Sequence, residues 1–288
     1  MPEKSLVQLI EERLTEGGMD LPIFRGVVLE LQNVFSKDDY DLKEVVEIIL
    51  KDQVLASRVL KVANSSFYAG LKSAKTIQEA VVRLGAQSVS NLAVVVTQGQ
   101  IYTSPRKGIN RFLERLWSHA IGTAFAAQWL SSRLGLNRLC DESFLAGLLH
   151  DIGKLFLLKV IEDLQTRGTD SNSFSPTLID DVLETMHCQH GECLMRQFNL
   201  PEIYCTVAAR HHQNSVAGEE ITLNLVRLAN LTCHKLGIGL RHDPGLMLST
   251  SPEAMTLMAG DLMLAELQVQ IEEQLAQMGR PLVPQPVP

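Results

Sequence analysis

The sequence predicts an all-α protein, and three observations support that fold class. Apolar residues recur at intervals of three and four, which places them on one face of a helix. Helix-capping residues precede several of these stretches, and the β-branched run at residues 92–96 has no alternating partner run beside it. Two sets show the helical spacing in the first hundred residues: Leu42, Val45, Val46 and Ile49, then Leu55, Val59, Val62 and Ala63.

The predicted helices begin and end at recognisable residues. Asp52 is placed to cap the helix that contains Leu55, because a carboxylate can accept a hydrogen bond from a free backbone N–H at a helix start. Thr76 followed three residues later by Glu79 has the form of a capping box, and Gly85 is the natural stop for that helix. The run at residues 92–96 is interpreted as a buried helix.

The segment YTSPRKGIN, residues 102–110, concentrates proline, glycine and basic residues and predicts a connection between domains. We therefore predict a first helical part over residues 1–105, a helical bundle over residues 106–245, and a C-terminal helix with a proline-rich tail over residues 246–288. Ser251 and Pro252 should start the final helix, which the periodicity carries to about residue 277.

Composition favours a soluble protein of the cytoplasm. Its 45% hydrophobic content can supply a core, and none of its apolar runs reaches the length that spans a membrane. The five cysteines are odd in number and form no CxxC pair, which favours a reducing compartment. A net charge of −7 argues against binding of nucleic-acid backbone as the main task, and the only short basic cluster, Arg106, Lys107 and Arg111, is interpreted as a solvated linker.

The octet LLHDIGKL, residues 148–155, is the most specific chemical feature of the chain. Adjacent helical residues point about 100° apart, so His150 and Asp151 can serve one site if they flank a line that faces a cleft. From such a position the imidazole can hold one metal ion while the carboxylate reaches the same ion or bridges to a second.

Further candidate ligands lie on both sides of this octet. Imidazole and carboxylate together suit iron, manganese, nickel or zinc, and such an ion would lower the pKa of a bound water so that it could attack phosphorus. Lys154 could then contact a phosphate oxygen. The candidate metal ligands are His119, His150, Asp151, His190, His211 and His212.

Each candidate also has a structural interpretation. His119, after Trp117, is by itself more often a packed residue, and His211 with His212 could form a polar helix end. His150 with Asp151 is harder to explain without a partner, because a charged pair between apolar runs is costly to bury. The remaining histidines, His187, His234 and His242, are interpreted as solvated surface groups.

The order and spacing of His119, His150 with Asp151, His190, and His211 with His212 resemble the HD superfamily of metal-dependent phosphohydrolases. Three segments of the first half, at residues 21–32, 51–68 and 76–92, resemble the N-terminal part of HDOD domains. The resemblance covers roughly residues 15–240 and implies an N-terminal helical layer packed on an HD-like bundle. HDOD domains occur in bacterial signalling proteins, and most are thought to have lost hydrolase activity and to act in regulation. The resemblance therefore also implies a regulatory role in bacterial signalling.

Two departures from the hydrolytic relatives bear on function. Asn230 stands where the catalytic pattern has a further aspartate, and an amide is a weaker metal ligand. The Gly-Tyr-Pro signature of the cyclic-di-GMP phosphodiesterase branch is missing after the paired histidines. Hydrolysis of cyclic-di-GMP is therefore not expected.

Two hypotheses from different classes remain. The first is a non-catalytic regulatory module that binds a signalling protein or a nucleotide and keeps a vestigial or retained site for a divalent metal. The second is a metal-dependent phosphohydrolase acting on nucleotides or phosphoesters, in which Asp151 and Lys154 have catalytic roles. The residues identify neither the input signal nor the oligomeric state.

Overall fold

The computed structural model describes residues 5–15, 30–31, 33–34, 39–64, 73–99, 101–167, 174–213, 218 and 220–278. Apart from turns, bends and two short 3-10 helices, the elements formed by these residues are α-helices, so the all-α prediction is confirmed. The helices are α1 Leu6–Thr15, α2 Leu42–Leu50, α3 Gln53–Ala63, α4 Ile77–Leu84, α5 Ala86–Gly99, α6 Lys107–Arg133, α7 Cys140–Leu149, α8 Ile152–Arg167, α9 Pro176–Gln197, α10 Glu202–Arg210, α11 Ile221–Lys235, α12 Pro252–Thr256 and α13 Asp261–Met278.

The chain divides into two compact units. One unit combines residues 1–21 with 102–264, and the other combines residues 22–101 with 265–288. Helix α13 contributes its first four residues to the first unit and the rest to the second. The domain ranges 1–105, 106–245 and 246–288 stay a prediction.

Two helices of the second unit, α3 and α4, begin at the capping residues that the sequence predicts, and α4 ends at Gly85 as predicted. Asp52 accepts a hydrogen bond from the Leu55 N–H at 3.1 Å, which caps α3. The run at residues 92–96 lies within α5, and four of its five apolar residues, Leu92, Ala93, Val94 and Val95, are buried, while Val96 is partly exposed. Local capping and burial of an apolar stripe therefore suffice to explain this part of the fold.

The capping box at α4 predicts a measurable loss of stability. The Thr76 hydroxyl accepts from the Glu79 N–H at 3.1 Å, and the Glu79 carboxylate accepts from the Lys75 N–H at 2.7 Å. Thr76→Ala removes the first of these bonds and should lower the free energy of unfolding by about 1 kcal/mol. Chemical denaturation checks this value, with Thr76→Ser as the control that keeps the hydroxyl and should lose less than half as much.

The first unit is built around the long helix α6, which packs on α7 and α11, while α9 packs on α8 and α10. Its interior is strongly apolar, with Leu113, Leu148 and Leu155 among its fully buried residues. Helix α1 also belongs to this unit, and it packs on α8, where Arg13 Nε lies 2.6 Å from Asp163 Oδ2.

The predicted final helix is interrupted, which corrects the sequence interpretation. Ser251 caps α12 with Pro252 as its first residue, as predicted, but that helix ends at Thr256. Met258 then adopts a φ of 52°, a left-handed conformation that a helix cannot continue through, and α13 starts at Asp261. The proline-rich tail at residues 279–288 and most of the segment at residues 21–32 lie outside the described residues.

Among the described residues, no helix combines the length and the apolar character needed to cross a bilayer.

Candidate metal centre

His150 and Asp151 lie at the corner between α7 and α8, inside the first unit. His150 is the C-cap of α7 and Asp151 precedes the first residue of α8. Both are almost fully buried, at 1% and 3% exposure. Because the backbone turns between the two helices at this point, both side chains can face the same space.

One carboxylate oxygen of Asp151, Oδ2, faces two imidazoles and an ammonium group. It lies 3.5 Å from His150 Nε2, 3.7 Å from His119 Nε2 and 3.1 Å from Lys154 Nζ. The two imidazole nitrogens are themselves 3.2 Å apart. His119, His150 and Asp151 therefore form one group of converging ligand atoms.

The other oxygen, Oδ1, faces a second pair of imidazoles. It lies 3.4 Å from His187 Nε2 and 3.3 Å from His211 Nε2, which are 3.3 Å from each other. Among the described residues no hydrogen bond of good geometry reaches this buried oxygen. His212, whose ring centroid lies 4.2 Å from that of His211, completes a second group with His187, His211 and Asp151.

The backbone holds Nδ1 of the four imidazoles whose Nε2 atoms face Asp151. In all four rings Nδ1 lies within hydrogen-bond distance of a carbonyl oxygen, which can only accept, so Nδ1 carries the proton and the neutral ring presents a lone pair at Nε2. The four contacts are His119 to Ile238 at 2.9 Å, His150 to Gly147 at 2.7 Å, His187 to Leu183 at 2.7 Å and His211 to Val207 at 3.0 Å.

The protonation states leave a concentration of negative potential at the centre. Burial lowers the pKa of His119, lowers that of His150 further and lowers that of His187 to about 4, so these three rings are neutral at pH 7. Burial opposes ionisation of Asp151, but the Lys154 ammonium 3.1 Å away outweighs it and holds the pKa of that carboxyl well below its usual value. Lone pairs that face one another across a carboxylate repel, and a cation between them removes that repulsion.

A divalent metal ion fits this donor set. Bonds of about 2.1 Å place neighbouring ligand atoms about 3.0 to 3.4 Å apart, depending on coordination geometry. The separations at Oδ1 are 3.3 to 3.4 Å, and those at Oδ2 are 3.2 to 3.7 Å. The fixed Nδ1 contacts are also those that orient metal-bound histidines.

Two glycines allow the helices to approach closely enough to bring the ligands together. A Cβ built on Gly153 of α8 would lie 1.9 Å from the backbone oxygen of His187 in α9. One built on Gly147 of α7 would lie 2.9 Å from the backbone of Ala124 in α6. The first contact sets His187 beside Asp151, and the second brings the helix that ends in His150 against the helix that carries His119.

A chain of charges covers the centre. Lys154 Nζ bridges Asp151 and Glu184, at 3.1 and 3.3 Å, and Arg241 pairs with the other side of Glu184. Burial opposes the charge on Lys154, but the two carboxylates raise its pKa, so it stays protonated. His234 stacks on His119 with ring centroids 5.2 Å apart.

The space left inside this cover is small. On the Oδ2 side of the centre, a cavity of about 10 Å³ is lined by Leu116, His119, Asp151, Lys154, His234, Leu240 and Arg241, whereas His212 of the second ligand group is exposed. That volume holds about one water molecule or one ion. A phosphoester substrate cannot enter unless the covering side chains move.

Asn230 lies on the buried polar stripe of α11, together with Arg227 and His234. Its amide is 3% exposed, and among the described residues its Oδ1 has no hydrogen-bond partner. The buried Arg227 donates a hydrogen bond to the Arg210 carbonyl at 2.8 Å. That bond ties α11 to the end of α10, where His211 follows directly.

The structure brings together five of the six residues predicted as ligands: His119, His150, Asp151, His211 and His212. The sixth, His190, lies elsewhere, with its ring 6.0 Å from that of Phe156 and Glu11 of α1 as its nearby charged group. Lys154 contacts Asp151, as its place in the octet suggests. The roles of these residues in metal binding or catalysis stay a prediction.

Two histidines interpreted as surface groups are buried beside the centre, which corrects that interpretation. His187 is 1% exposed and occupies the place predicted for His190, and His234 is 9% exposed. Helical spacing was the signal for His187, because it lies four residues after Leu183 and four before Gly191 on the buried stripe of α9. His190 falls off that stripe. The third, His242, is exposed as expected.

Solved structures share the fold. The chain superposes on a proposed metal-dependent phosphohydrolase from Shewanella amazonensis SB2B with a TM-score of 0.74, at 22% identity over 94% of this chain and 97% of that one. An HDOD domain protein of unknown function from Geobacter sulfurreducens gives a TM-score of 0.68, at 24% identity over 95% and 97% of the two chains. A proposed signal transduction protein from Marinobacter aquaeolei VT8 gives 0.60, at 20% identity over 96% and 60%.

The protein is thus an all-α protein with a buried His/Asp centre. The chain belongs to the HDOD family, whose domain matches residues 21–214, and the resemblance found in the sequence is confirmed. An uncharacterized protein of Treponema pallidum (strain Nichols) is 27% identical over 219 residues, which are 74% of this chain and 42% of that protein. The chain therefore spans less than half the length of this curated relative.

Proposed function

We propose that this chain is a non-catalytic regulatory HDOD module that binds a signalling protein or a nucleotide, and that its His/Asp centre holds a divalent cation for structural reasons. The observation that carries the proposal is the cover of Lys154, His234 and Arg241 over the Oδ2 side of the centre. The cavity of about 10 Å³ under this cover accommodates an ion and excludes a phosphoester.

The charge balance supports the same proposal. Lys154 neutralises Oδ2 of Asp151 from 3.1 Å and is itself paired with Glu184, so its ammonium is not directed at an external phosphate. Asn230, the position at which hydrolytic relatives have a further aspartate, supplies only a neutral amide. Neither Lys154 nor Asn230 therefore supports attack on a phosphoester at this centre.

His119, His150 and Asp151 would hold one ion, and Asp151, His187, His211 and His212 would hold a second. Ions in such sites can polarise phosphoryl oxygens and lower the pKa of a coordinated water. In the proposed module the centre instead ties α6, α7, α9 and the end of α10 together, since each contributes a ligand to one buried point. Metal binding of this kind adds directly to folding stability.

A metal-dependent phosphohydrolase is the second candidate. It is favoured by one specific observation, the sharing of Asp151 between two ligand groups, because hydrolases with paired ions use a bridging carboxylate. For this function Arg241 and Glu184 would have to move away from the centre to admit substrate.

A hydrolysis panel separates the two candidates. The purified chain, loaded in turn with iron, manganese, nickel and zinc, is assayed against nucleotides, cyclic nucleotides and simple phosphoesters. We expect rates indistinguishable from those of the His150→Ala variant, because the cavity beside His119 and Asp151 is too small for a phosphoester. Turnover that depends on His150 in a variant shown by circular dichroism to be folded would overturn the module and establish the hydrolase.

A further inference from the structure

A second, larger cavity lies in the same unit and shares one lining residue, Leu240, with the cavity at the His/Asp centre. It measures about 440 Å³, within the range of about 300 to 1,000 Å³ that small-molecule pockets occupy. It is bordered by the first turns of α6 and α9. Its lining combines arginine with apolar side chains, and none of its lining residues is a ligand of the proposed metal centre.

Three arginines give this cavity a positive charge. Arg106, Arg111 and Arg115 line it, and no acidic residue is among its described lining residues. Arg106 donates to the Gln165 carbonyl at 2.7 Å, and Arg115 donates to the carbonyls of Gly239 at 2.8 Å and Leu240 at 3.4 Å. Within the described part of the chain, these contacts use fewer than half of the five N–H donors of each guanidinium.

The backbone adds to the positive potential. Helix α6 starts at Lys107 without a side-chain cap and with no acidic residue in its first turn, and Gly108 of that turn lines the cavity. At the start of α6, unshared N–H groups and the helix dipole both favour an anion. Helix α9 also begins at the cavity with Pro176, but Ser175 caps it by accepting from the Leu178 N–H, so this helix start adds only its dipole.

Most of the remaining cavity lining is apolar, and part of it is aromatic. Phe112 and Phe174 are half-buried there, and Ile109 and Ile179 are buried behind them. Aromatic rings with an exposed surface can stack on a planar group. An inorganic anion would leave this apolar part of the cavity unused.

We propose that this cavity binds a nucleotide, with its phosphates at Arg106, Arg111 and the start of α6 and its base against Phe112 and Phe174. Arginine suits phosphate because its planar fork donates two hydrogen bonds at once. The proposal rests on the proposed function, because it assigns a place to the nucleotide that the regulatory module would bind.

Isothermal titration calorimetry on the full chain tests the proposal. The probes are adenine and guanine nucleoside mono-, di- and triphosphates, the parent nucleosides, and inorganic phosphate. At least one nucleotide should bind ten-fold or more tightly than both its nucleoside and phosphate. Arg111→Glu should weaken that binding at least ten-fold, whereas Arg138→Glu, the same change at an exposed arginine outside the cavity, should change it less than two-fold.

A second variant tests the apolar half of the cavity. Phe112→Ala should weaken nucleotide binding several-fold without changing the affinity for inorganic phosphate. The site is overturned if no nucleotide binds, if Arg111→Glu binds as well as the unmodified chain, or if an acidic phenylalanine-containing peptide binds more tightly than any nucleotide. These outcomes are independent of the hydrolysis panel, and Arg111→Glu should retain its bound metal, so failure of this site is distinguishable from failure of the proposed function.

Discussion

His187→Ala is expected to lose bound divalent metal, whereas His190→Ala is expected to retain it. His187 Nε2 lies 3.4 Å from Asp151 Oδ1 at the buried centre, but His190 lies beside Phe156 and α1. Loss of even an outer hydrogen-bonding partner of a metal ligand costs about 10- to 100-fold in affinity. Loss of His187 itself should therefore empty the Oδ1 side at micromolar free metal.

The measurement is metal content by inductively coupled plasma mass spectrometry after dialysis against a defined metal buffer. The two variants are closely matched, because both replace a histidine of α9 and lie three residues apart. His187→Gln, which keeps most of the side-chain volume, guards against a change that reflects misfolding alone. Metal lost from His190→Ala but retained by His187→Ala, or an unmodified chain that takes up no divalent metal, would refute the centre described above.

The comparison of these histidines shows how much of the site could be predicted from sequence. His150, Asp151 and Lys154 belong to one octet, and local chain geometry keeps them together. His187 and His190 both belong to the short segment HCQHGE, and matching by motif order favoured His190. Only the register of the buried stripe of α9 distinguishes them, because a shift of three residues along a helix moves a side chain by about 60° around the axis.

His234 could not be placed in the same way. Its neighbours along α11 include the buried polar residues Arg227 and Asn230, so the stripe on which it lies does not read as apolar in the sequence. Its burial depends on stacking against His119, more than a hundred residues away in the chain. Sequence patterns report local burial well, whereas contacts of this range depend on how the helices pack.

The fold, too, was predicted where local contacts determine it and missed where they do not. The caps at Asp52 and Thr76 involve residues three apart, and both were predicted. The break between α12 and α13 was not predicted, because the apolar spacing from Leu257 to Ile271 continues through it without interruption. Met258 takes its left-handed conformation without the glycine that normally marks one, and the glycine of the break, Gly260, comes two residues later, directly before α13.

Gly153→Ala is expected to destabilise the first unit and to disturb the centre at the same time. The new Cβ would lie 1.9 Å from the His187 carbonyl oxygen and 2.8 Å from the Gly191 N, and both obstacles are backbone atoms that no side-chain rotation can remove. Helices α8 and α9 must then separate. Overpacking of this kind costs about 1 to 3 kcal/mol and occasionally more, and we expect about 3 kcal/mol because α9 must move as a whole.

For a protein of this size about 3 kcal/mol corresponds to a fall in Tm on the order of 10 °C, which thermal unfolding followed by circular dichroism measures directly. Gly108→Ala is the control, since Gly108 is also helical but a Cβ built there meets nothing within 4 Å. That variant should be unchanged or more stable by up to about 1 kcal/mol, because alanine favours helix more than glycine does. Because separation of α8 and α9 also draws His187 away from Asp151, Gly153→Ala should bind less metal than Gly108→Ala. Equal Tm values and equal metal content in the two variants would contradict the role of Gly153 in holding His187 at the centre.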